Sequence, residues 1–566
     1  MRGIPRDTAV DLLWIGVWFV LFIFVGYGLR DPWPADEPRF ASVALDMWRT
    51  GEWLIPRAGG DLYQDKPPLH FWMMAVAYSL TGSLRLGFLL PSMLASLGTL
   101  LLVYDVVRRL HGREAGRLAA ITLACCVQFV MTTRGAQIDA TLVFFCTLAL
   151  WALLRNLLLG DSWRYALLGG VAAGLGIIDK AVGVLALLLL PIAAVLVPRF
   201  GLPRVRAASV VVFLLGMLGT VAFWLVPMLV HVASAGTPDL IAYRDEILFK
   251  QTVQRYAQAW HHLRPWWYYF IEVIPALWLP LSALLYWLIP SWRDDWRARR
   301  AATWLPLLWA VAVVVFFSLS TGKRGVYVLP ALPAFAIAAA PHLAGLFAKV
   351  AVQRMSLGLA ALLLVPGLVL SLGSLLGVDR IVEWINESEL ASLAWVYFFA
   401  VAALIAWILA WRLRPLLAWP AVLACLTVSW GVGIAPQINS ERSASGFVSM
   451  MLAKVPQRAE LGLLAYKEQF LLYLDRDTVN FGHARWREGD AEAFDAARWL
   501  ASDASRVLLV PEHFIARCFA DNPREYAGHS SDDAWWLVRG EPAAECTARG
   551  DPAKVFRYPA ALGVLR

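Results

Sequence analysis

The chain reads as a polytopic α-helical membrane protein: a bundle of about thirteen spanning helices followed by a small outer α/β domain. Three observations predict it. Of 566 residues, 59% are hydrophobic and only 16% charged, against about 45–50% and about 25% in ordinary globular domains. The apolar excess comes in runs of roughly 20 residues, the length a helix needs to cross the hydrocarbon layer. The Lys and Arg residues behind the net charge of +8 cluster in short loops between those runs, as cytoplasmic loops do. That placement accounts for the basic balance without nucleic acid, and the apolar excess argues against a soluble enzyme.

Residues 10–29 form the first span, preceded by Arg2 and Arg6 and followed by no small-residue cleavage site, which predicts an uncleaved anchor with a cytoplasmic N-terminus. Residues 30–84 then make a large outer loop, in which the apolar run 70–81 is too short to span and lies re-entrant or flat on the outer surface. Further spans fall at 85–107, 115–132, 138–158, 163–179, 181–198, 205–231, 268–290, 301–319, 327–348, 355–377, 392–411 and 416–434, with a second large outer loop at 232–267. In this register every second span ends in basic residues: Arg108 and Arg109; Arg155 and Arg164; Arg199, Arg204 and Arg206; Arg293, Arg297, Arg299 and Arg300; Lys349 and Arg354; Arg412 and Arg414. Counting 70–81 as a span would throw the later clusters to the wrong side.

Residues 1–434 are thus the membrane domain, and 435–566 change character, with more Asp, Glu, Arg and Gly and short β-like runs at Leu461–Tyr466, Arg506–Val510 and Trp535–Arg539. About 130 residues is an ordinary domain size, and an odd number of spans puts this α/β domain outside. Cys125, Cys126, Cys146 and Cys425 lie in spans as packing residues. Cys518 and Cys546 lie in the outer domain, where an oxidising compartment permits a disulfide.

With sidedness set, the outer ends pool an unusual polar set. Asp36, Glu37 and Arg39 follow span 1; Asp61, Asp65 and Lys66 precede the re-entrant run; Arg134 and Asp139 separate spans 3 and 4; Asp179 and Lys180 separate spans 5 and 6. The second outer loop adds Tyr243, Arg255, His261, His262, Arg264 and the aromatic run 266–269, and the next outer turn adds Lys323, Arg324 and Tyr327. Some have bland explanations: Asp139 as a charge complementing a helix N-terminus, the aromatic run as an interface belt. Asp179 and Lys180 have almost no loop around them, so their charges sit near membrane depth, where ionisable groups are functional by default. Cations at outer ends, Lys66, Lys180, Arg255 and Lys323, run against the positive-inside bias and call for an anion.

A cation cluster beside carboxylates at the outer face suits a lipid-linked phosphate, whose oxygens Arg and Lys hold and whose growing charge they stabilise as it departs. Asp36, Asp139 and Glu37 are the candidate catalytic carboxylates. Over a hydroxyl acceptor Asp36 would be a general base; over a phosphate monoester, already anionic near neutral pH, the carboxylates would orient the acceptor, bind a metal or pair with a cationic sugar. Asp65 and His262 are the candidate ligands for a divalent cation, Zn or Mg, and nothing else in the sequence calls for a cofactor. No Walker A, H-E-x-x-H, G-x-G-x-x-G or G-x-S-x-G pattern supplies another chemistry. A lipid flippase would place its ionisable residues near the midplane in repeat-related broken helices, whereas here they gather at one face without an internal repeat.

In these stretches the sequence resembles the GT-C membrane glycosyltransferases, and more closely the aminoarabinose transferase family related to the protein O-mannosyltransferases. The resemblance rests on Asp36-Glu37-Pro38-Arg39-Phe40, Asp65-Lys66-Pro67, Lys180, Gln254-Arg255-Tyr256, His262 through Tyr269, Gly322-Lys323 and Tyr327, and covers roughly residues 10–350. Two departures stand out: Asp65-Lys66-Pro67 where the family has Glu-Lys-Pro, and Asp179-Lys180-Ala181 where it has Thr-Lys-Gly. The resemblance implies transfer of 4-amino-4-deoxy-L-arabinose from undecaprenyl phosphate to lipid A at the periplasmic face of the bacterial inner membrane. It also implies that Lys66, Arg255 and Tyr327 hold the carrier phosphate with Lys180 and Lys323 nearby, that Arg39 and Tyr63 join the substrate site, and that Asp36 and Asp139 face acceptor or sugar. The alternative within the same chemistry is a polyprenyl-phosphate-sugar transferase acting on a protein hydroxyl or another glycolipid.

Overall fold

Two sets of chain segments pack as separate units in the computed structural model, which describes residues 6–160, 162–200, 206–248, 263–388, 390–548, 553–561 and 563–565. The first unit takes in Met1–Tyr27, Asp65–His70 and Pro91–Gln437; the second takes in Gly28–Gln64, Phe71–Leu90 and Ile438–Arg566.

Among the described residues eight helices are long and apolar enough to cross a membrane, or ten if each of two sharply bent pairs is one span. The eight are Arg6–Phe24, Leu84–His111, Ile138–Leu158, Ala207–Ala235, Ala301–Leu319, Val350–Leu375, Ala394–Leu413 and Pro415–Gln437; the pairs are Arg113–Ala124 with Val127–Thr133, bent by 65°, and Tyr269–Leu277 with Ser282–Arg297, bent by 105°. All ten fall on runs read from the sequence. The other three runs form shorter helices: Trp163–Asp179 and Ala331–Phe347 have 17 residues each, and Ala181–Leu196 begins as a 3₁₀ helix. At a rise of 1.5 Å per residue, seventeen residues reach only about 26 Å. By length and composition the expected thirteen spans therefore become eight to ten. The run at 70–81 forms the helix Leu69–Thr81, 13 residues long, or about 20 Å.

Close backbone contact fixes the short helices. A Cβ on Gly170 would lie 2.0 Å from the Phe213 carbonyl oxygen, one on Gly174 2.6 Å from the Thr220 Cβ, and one on Gly183 2.1 Å from the Gly176 carbonyl carbon. Glycines four residues apart let one helix lie directly on its neighbour. The helix Trp163–Asp179 is thereby pressed onto Ala207–Ala235 and onto the 3₁₀ turn that follows it. This packing holds Asp179 and Lys180 in place at the break between the two helices.

The second unit is built on a six-stranded mixed sheet of order β6-β7-β5-β3-β4-β8, with β3 Leu461–Leu463, β4 Thr478–Asn480, β5 Val507–Pro511, β6 Arg524–Ser530, β7 Asp533–Val538 and β8 Phe556–Tyr558. Strand β3 runs parallel to β4 and β5, and the remaining pairs are antiparallel. All three β-like runs of the sequence become strands. Alternation along β5 sends Val507 and Leu509 into one core with Phe447, Met451, Phe470 and Trp535, and Leu508 and Val510 into the other with Phe494, Trp499 and Phe519. A hairpin of β1 Arg57–Ala58 and β2 Asp61–Leu62 joins this unit. There the Asn480 amide donates to the Gly59 carbonyl at 2.9 Å, and the His483 backbone N–H to Asp61 Oδ2 at 3.0 Å. Cys518 and Cys546 are joined in a disulfide with their Cα atoms 5.8 Å apart.

Candidate active site

In the first unit three residues singled out from the sequence meet. Asp139 opens the helix Ile138–Leu158 and is buried; Lys180 Nζ donates to its Oδ1 at 2.6 Å. Lys180 is itself extended, φ −156°, between Trp163–Asp179 and the 3₁₀ turn, so the helix ends where its ammonium must turn aside. The same ammonium stands 5.0 Å from the centre of the Tyr327 ring, a cation–π geometry. Tyr327 sits on the short turn Gly325–Val328. Gln128 anchors that turn, donating to the Gly325 carbonyl at 2.6 Å while accepting from the Trp278 indole at 2.8 Å. Both bent helix pairs therefore serve to hold Tyr327.

Beneath this trio lies a polar chain that sequence reasoning missed in two of its members. Thr141 Oγ1 donates to Asp179 Oδ2 at 2.8 Å and lies 3.1 Å from His70 Nδ1; all three residues are fully buried. A signal was present: His70 stands just inside an apolar run after Lys66-Pro67-Pro68, and Thr141 lies two residues past Asp139.

Other outer cations are engaged locally. Lys66 Nζ donates to the Asp65 carbonyl at 3.1 Å. Lys323 is 4% exposed, and its ammonium donates to the carbonyls of Arg264, at 3.0 Å, and Ser320, next to the β-bridge between Leu263 and Gly322. This lysine clamps the start of the aromatic run to the next turn, a structural use that its charge alone did not reveal. Arg134 donates to the carbonyls of Phe22 and Val25 at 2.9 and 3.0 Å, covering groups that the end of the first span leaves without helical partners.

Asp36, Glu37, Arg39 and Tyr63 belong to the second unit. Asp36 precedes the helix Glu37–Thr50 and is half-buried. Glu37 is buried with both oxygens taken by the Arg30 guanidinium and one also by the Trp33 backbone N–H at 2.9 Å. A carboxylate held this way pins the turn before the helix, and proton transfer is not what its surroundings equip it for. Arg39 Nε donates to Glu468 at 2.8 Å, and Tyr63 is buried edge-on against Phe71 at 5.6 Å. Asp46, unremarked in the sequence, accepts from the Gly60 N–H; burial pushes its carboxyl up to about 7.

Arg255 and His262 lie outside the described residues. Among the described residues no three His, Cys, Asp or Glu side chains gather as a metal site, and of the cation pair only Asp65 is described.

Comparison with known proteins bears on this geometry. Residues 65–231 match the family described as dolichyl-phosphate-mannose-protein mannosyltransferase. The chain is 31% identical over 436 residues to the undecaprenyl phosphate-alpha-4-amino-4-deoxy-L-arabinose arabinosyl transferase of Pseudomonas aeruginosa, covering 74% of each. The chain belongs to the aminoarabinose transferase family. A further relative, transferase 1 of Pseudomonas fluorescens, is 28% identical over 85% of this chain and 84% of its own length. The fold agrees: ArnT from Cupriavidus metallidurans bound to undecaprenyl phosphate superposes with a TM-score of 0.73 at 19% identity, covering 96% of this chain and all of that one. The family match begins at Asp65 and takes in Lys66, His70, Asp139, Thr141, Asp179 and Lys180.

Proposed function

We propose that this chain transfers 4-amino-4-deoxy-L-arabinose from undecaprenyl phosphate to a lipid A phosphate at the periplasmic face of the inner membrane. The observation that carries the reading is the Asp139–Lys180–Tyr327 trio inside a chain of this family. An acceptor phosphate oxygen attacks the anomeric carbon with inversion, and the bond from that carbon to the carrier phosphate oxygen breaks. Its electron pair leaves on undecaprenyl phosphate. The acceptor is ionised near neutral pH, so no base is needed, and cations must meet the charge arriving on the leaving group. An ammonium has three protons; Lys180 gives one to Asp139 and offers the others to phosphate. In this reading Asp139 orients Lys180 or the amino sugar, Lys66 and Arg255 grip the carrier phosphate, and Asp65 with His262 would hold a divalent cation adding positive charge there.

Sidedness follows from a parity argument. A disulfide such as Cys518–Cys546 persists in an oxidising compartment, which favours an outer C-terminal unit. The basic N-terminus favours the inside. Opposite sides require an odd number of crossings, as when the three shorter helices also span and the count is thirteen.

Mass spectrometry of lipid A tests the reading, in cells that make the donor but lack a resident transferase. A pentosamine increment is expected with this chain and a much smaller one with Asp139→Asn, which withdraws the charge that orients Lys180. Unmodified lipid A in such cells would move the acceptor to a protein hydroxyl or another glycolipid, the second reading that the protein-mannosyltransferase match favours.

A further inference from the structure

Each segment carrying Lys66, Asp139 or Lys180 also carries one member of the buried chain His70–Thr141–Asp179. His70 lies four residues beyond Lys66, at the start of the helix Leu69–Thr81, Thr141 follows Asp139 on the same helix, and Asp179 directly precedes Lys180. We infer that His70, Thr141 and Asp179 are positioning residues of the transferase, a hydrogen-bonded relay that locks three active-site segments into one register. The inference rests on the function proposed above and adds to it the residues that hold its geometry.

The bonding pattern is directional. Thr141 has one hydroxyl proton, which its position aims at Asp179 Oδ2, 2.8 Å away, or at the Ile138 carbonyl, 2.9 Å away. In either case a lone pair faces His70 Nδ1 at 3.1 Å, so His70 donates from Nδ1 and its ring orientation and tautomer are set by the relay. Asp179 is fully buried, and its other oxygen, Oδ1, accepts no hydrogen bond from the described residues. A buried carboxylate without full compensation is expensive in a purely structural place. The neighbouring departure from the family pattern, Asp179 before Lys180, is therefore tied by Thr141 to the helix that presents Asp139. Displacements of about 1 Å at reacting groups lower rates by roughly a hundredfold, so loosening this register should be read in turnover.

Two variants of full-length protein in detergent separate positioning from packing. Thr141→Val keeps the shape and removes the hydroxyl, whereas Thr141→Ser restores it. With native polyprenyl donor and lipid A, measured well below each variant's melting temperature, Thr141→Val is expected to lower kcat about tenfold to a hundredfold with donor KM nearly unchanged, and Thr141→Ser to recover most of it. Wild-type kcat in folded Thr141→Val would overturn the proposal. In parallel, ¹⁵N spectroscopy of histidine-labelled protein reads the tautomer without any reaction. A neutral Nδ1–H form for His70, assigned by its loss in His70→Gln and altered in Thr141→Val, is expected; a spectrum indifferent to Thr141 overturns the relay. Should wild-type enzyme transfer nothing to lipid A, the proposed function fails and the tautomer result still decides the relay.

Discussion

The two ends of the helix Ile138–Leu158 treat the carboxylates beside them in opposite ways. At its arginine-bearing end, Trp151 and Arg155 reach Asp105, which also receives Arg108 and Arg109. Asp11 is served alike by Tyr104, Arg113 and Arg117, and Asp295 by Arg300, Thr303 and His342. At the other end, among the described residues, Asp139 receives one lysine and Asp179 one hydroxyl. Saturated carboxylates stitch helices together, since both of their oxygens already have donors. Sparsely served ones keep capacity for a ligand, which is what a catalytic end needs and a structural end does not.

The strongest way to break this contrast is Asp139→Asn. The amide keeps the shape but withdraws the charge that orients Lys180, and transfer should fall about a hundredfold or more in protein that still purifies folded. Were Asp139 only a charge complementing the helix N-terminus, stability would drop by at most about 1 kcal/mol and turnover would hold. Steady-state transfer and melting temperature measured on the same preparation decide between these.

Next in size is Asp295→Ala, at a saturated carboxylate. Thr303 and His342 lose a buried acceptor, while the half-exposed Arg300 turns to water, so a loss of about 2–3 kcal/mol is expected, with turnover per folded molecule retained. Equal damage to turnover from Asp295→Ala and Asp139→Asn would erase the distinction between saturated and sparsely served carboxylates.

Much of this contrast was legible in the sequence and part was not. Apolar runs and arginine spacing place ten spans, because hydropathy over twenty residues reports the bilayer directly. They give full-length runs at 163–179, 181–198 and 327–348 where the helices are shorter, because an apolar run has no mark saying how far its helix continues. Asp139, Lys180 and Tyr327 stood out as charges and a ring at outer ends, and the fold brings them together. Glu37 and Lys323 looked the same in sequence, yet Arg30 takes one and backbone carbonyls the other. A one-dimensional reading finds where charge is but not what neutralises it. His70 and Thr141 were hidden for the converse reason: they carry no obligatory charge and gain importance only from three segments meeting.

The second unit sharpens the contrast through pH, since two of its buried carboxylates, Asp46 and Glu492, accept from backbone amides. Asp46 accepts from Gly60, Glu492 from the Ala465 N–H at 2.8 Å, and burial pushes both carboxyls up to about 7. Raised folded values mean that the native state binds more protons than the unfolded chain, so stability is greatest in mild acid and falls as pH rises toward 7. For Asp46 alone the loss between about pH 5 and about pH 8 is roughly 2–3 kcal/mol. Asp46→Asn should flatten the unfolding midpoint against pH by about that amount. A profile that rises over this interval would mean that both groups are ionised and paired in the native state.

The smallest effect comes from trimming a saturated carboxylate by one donor. Thr303→Val removes the hydroxyl 2.8 Å from Asp295 Oδ2 while leaving His342 on that oxygen and Arg300 on the other. Because Asp295 remains paired, only the net value of one hydrogen bond is at stake, about 1 kcal/mol, read as a small drop in melting temperature with unchanged kcat. Thr141→Val makes the same chemical change beside Asp179, which has no second donor among the described residues. If saturation is what separates structural from functional carboxylates, these two threonine variants should differ in turnover far more than in stability, and a matched response would show that the number of donors around a carboxylate does not mark where the chemistry is done.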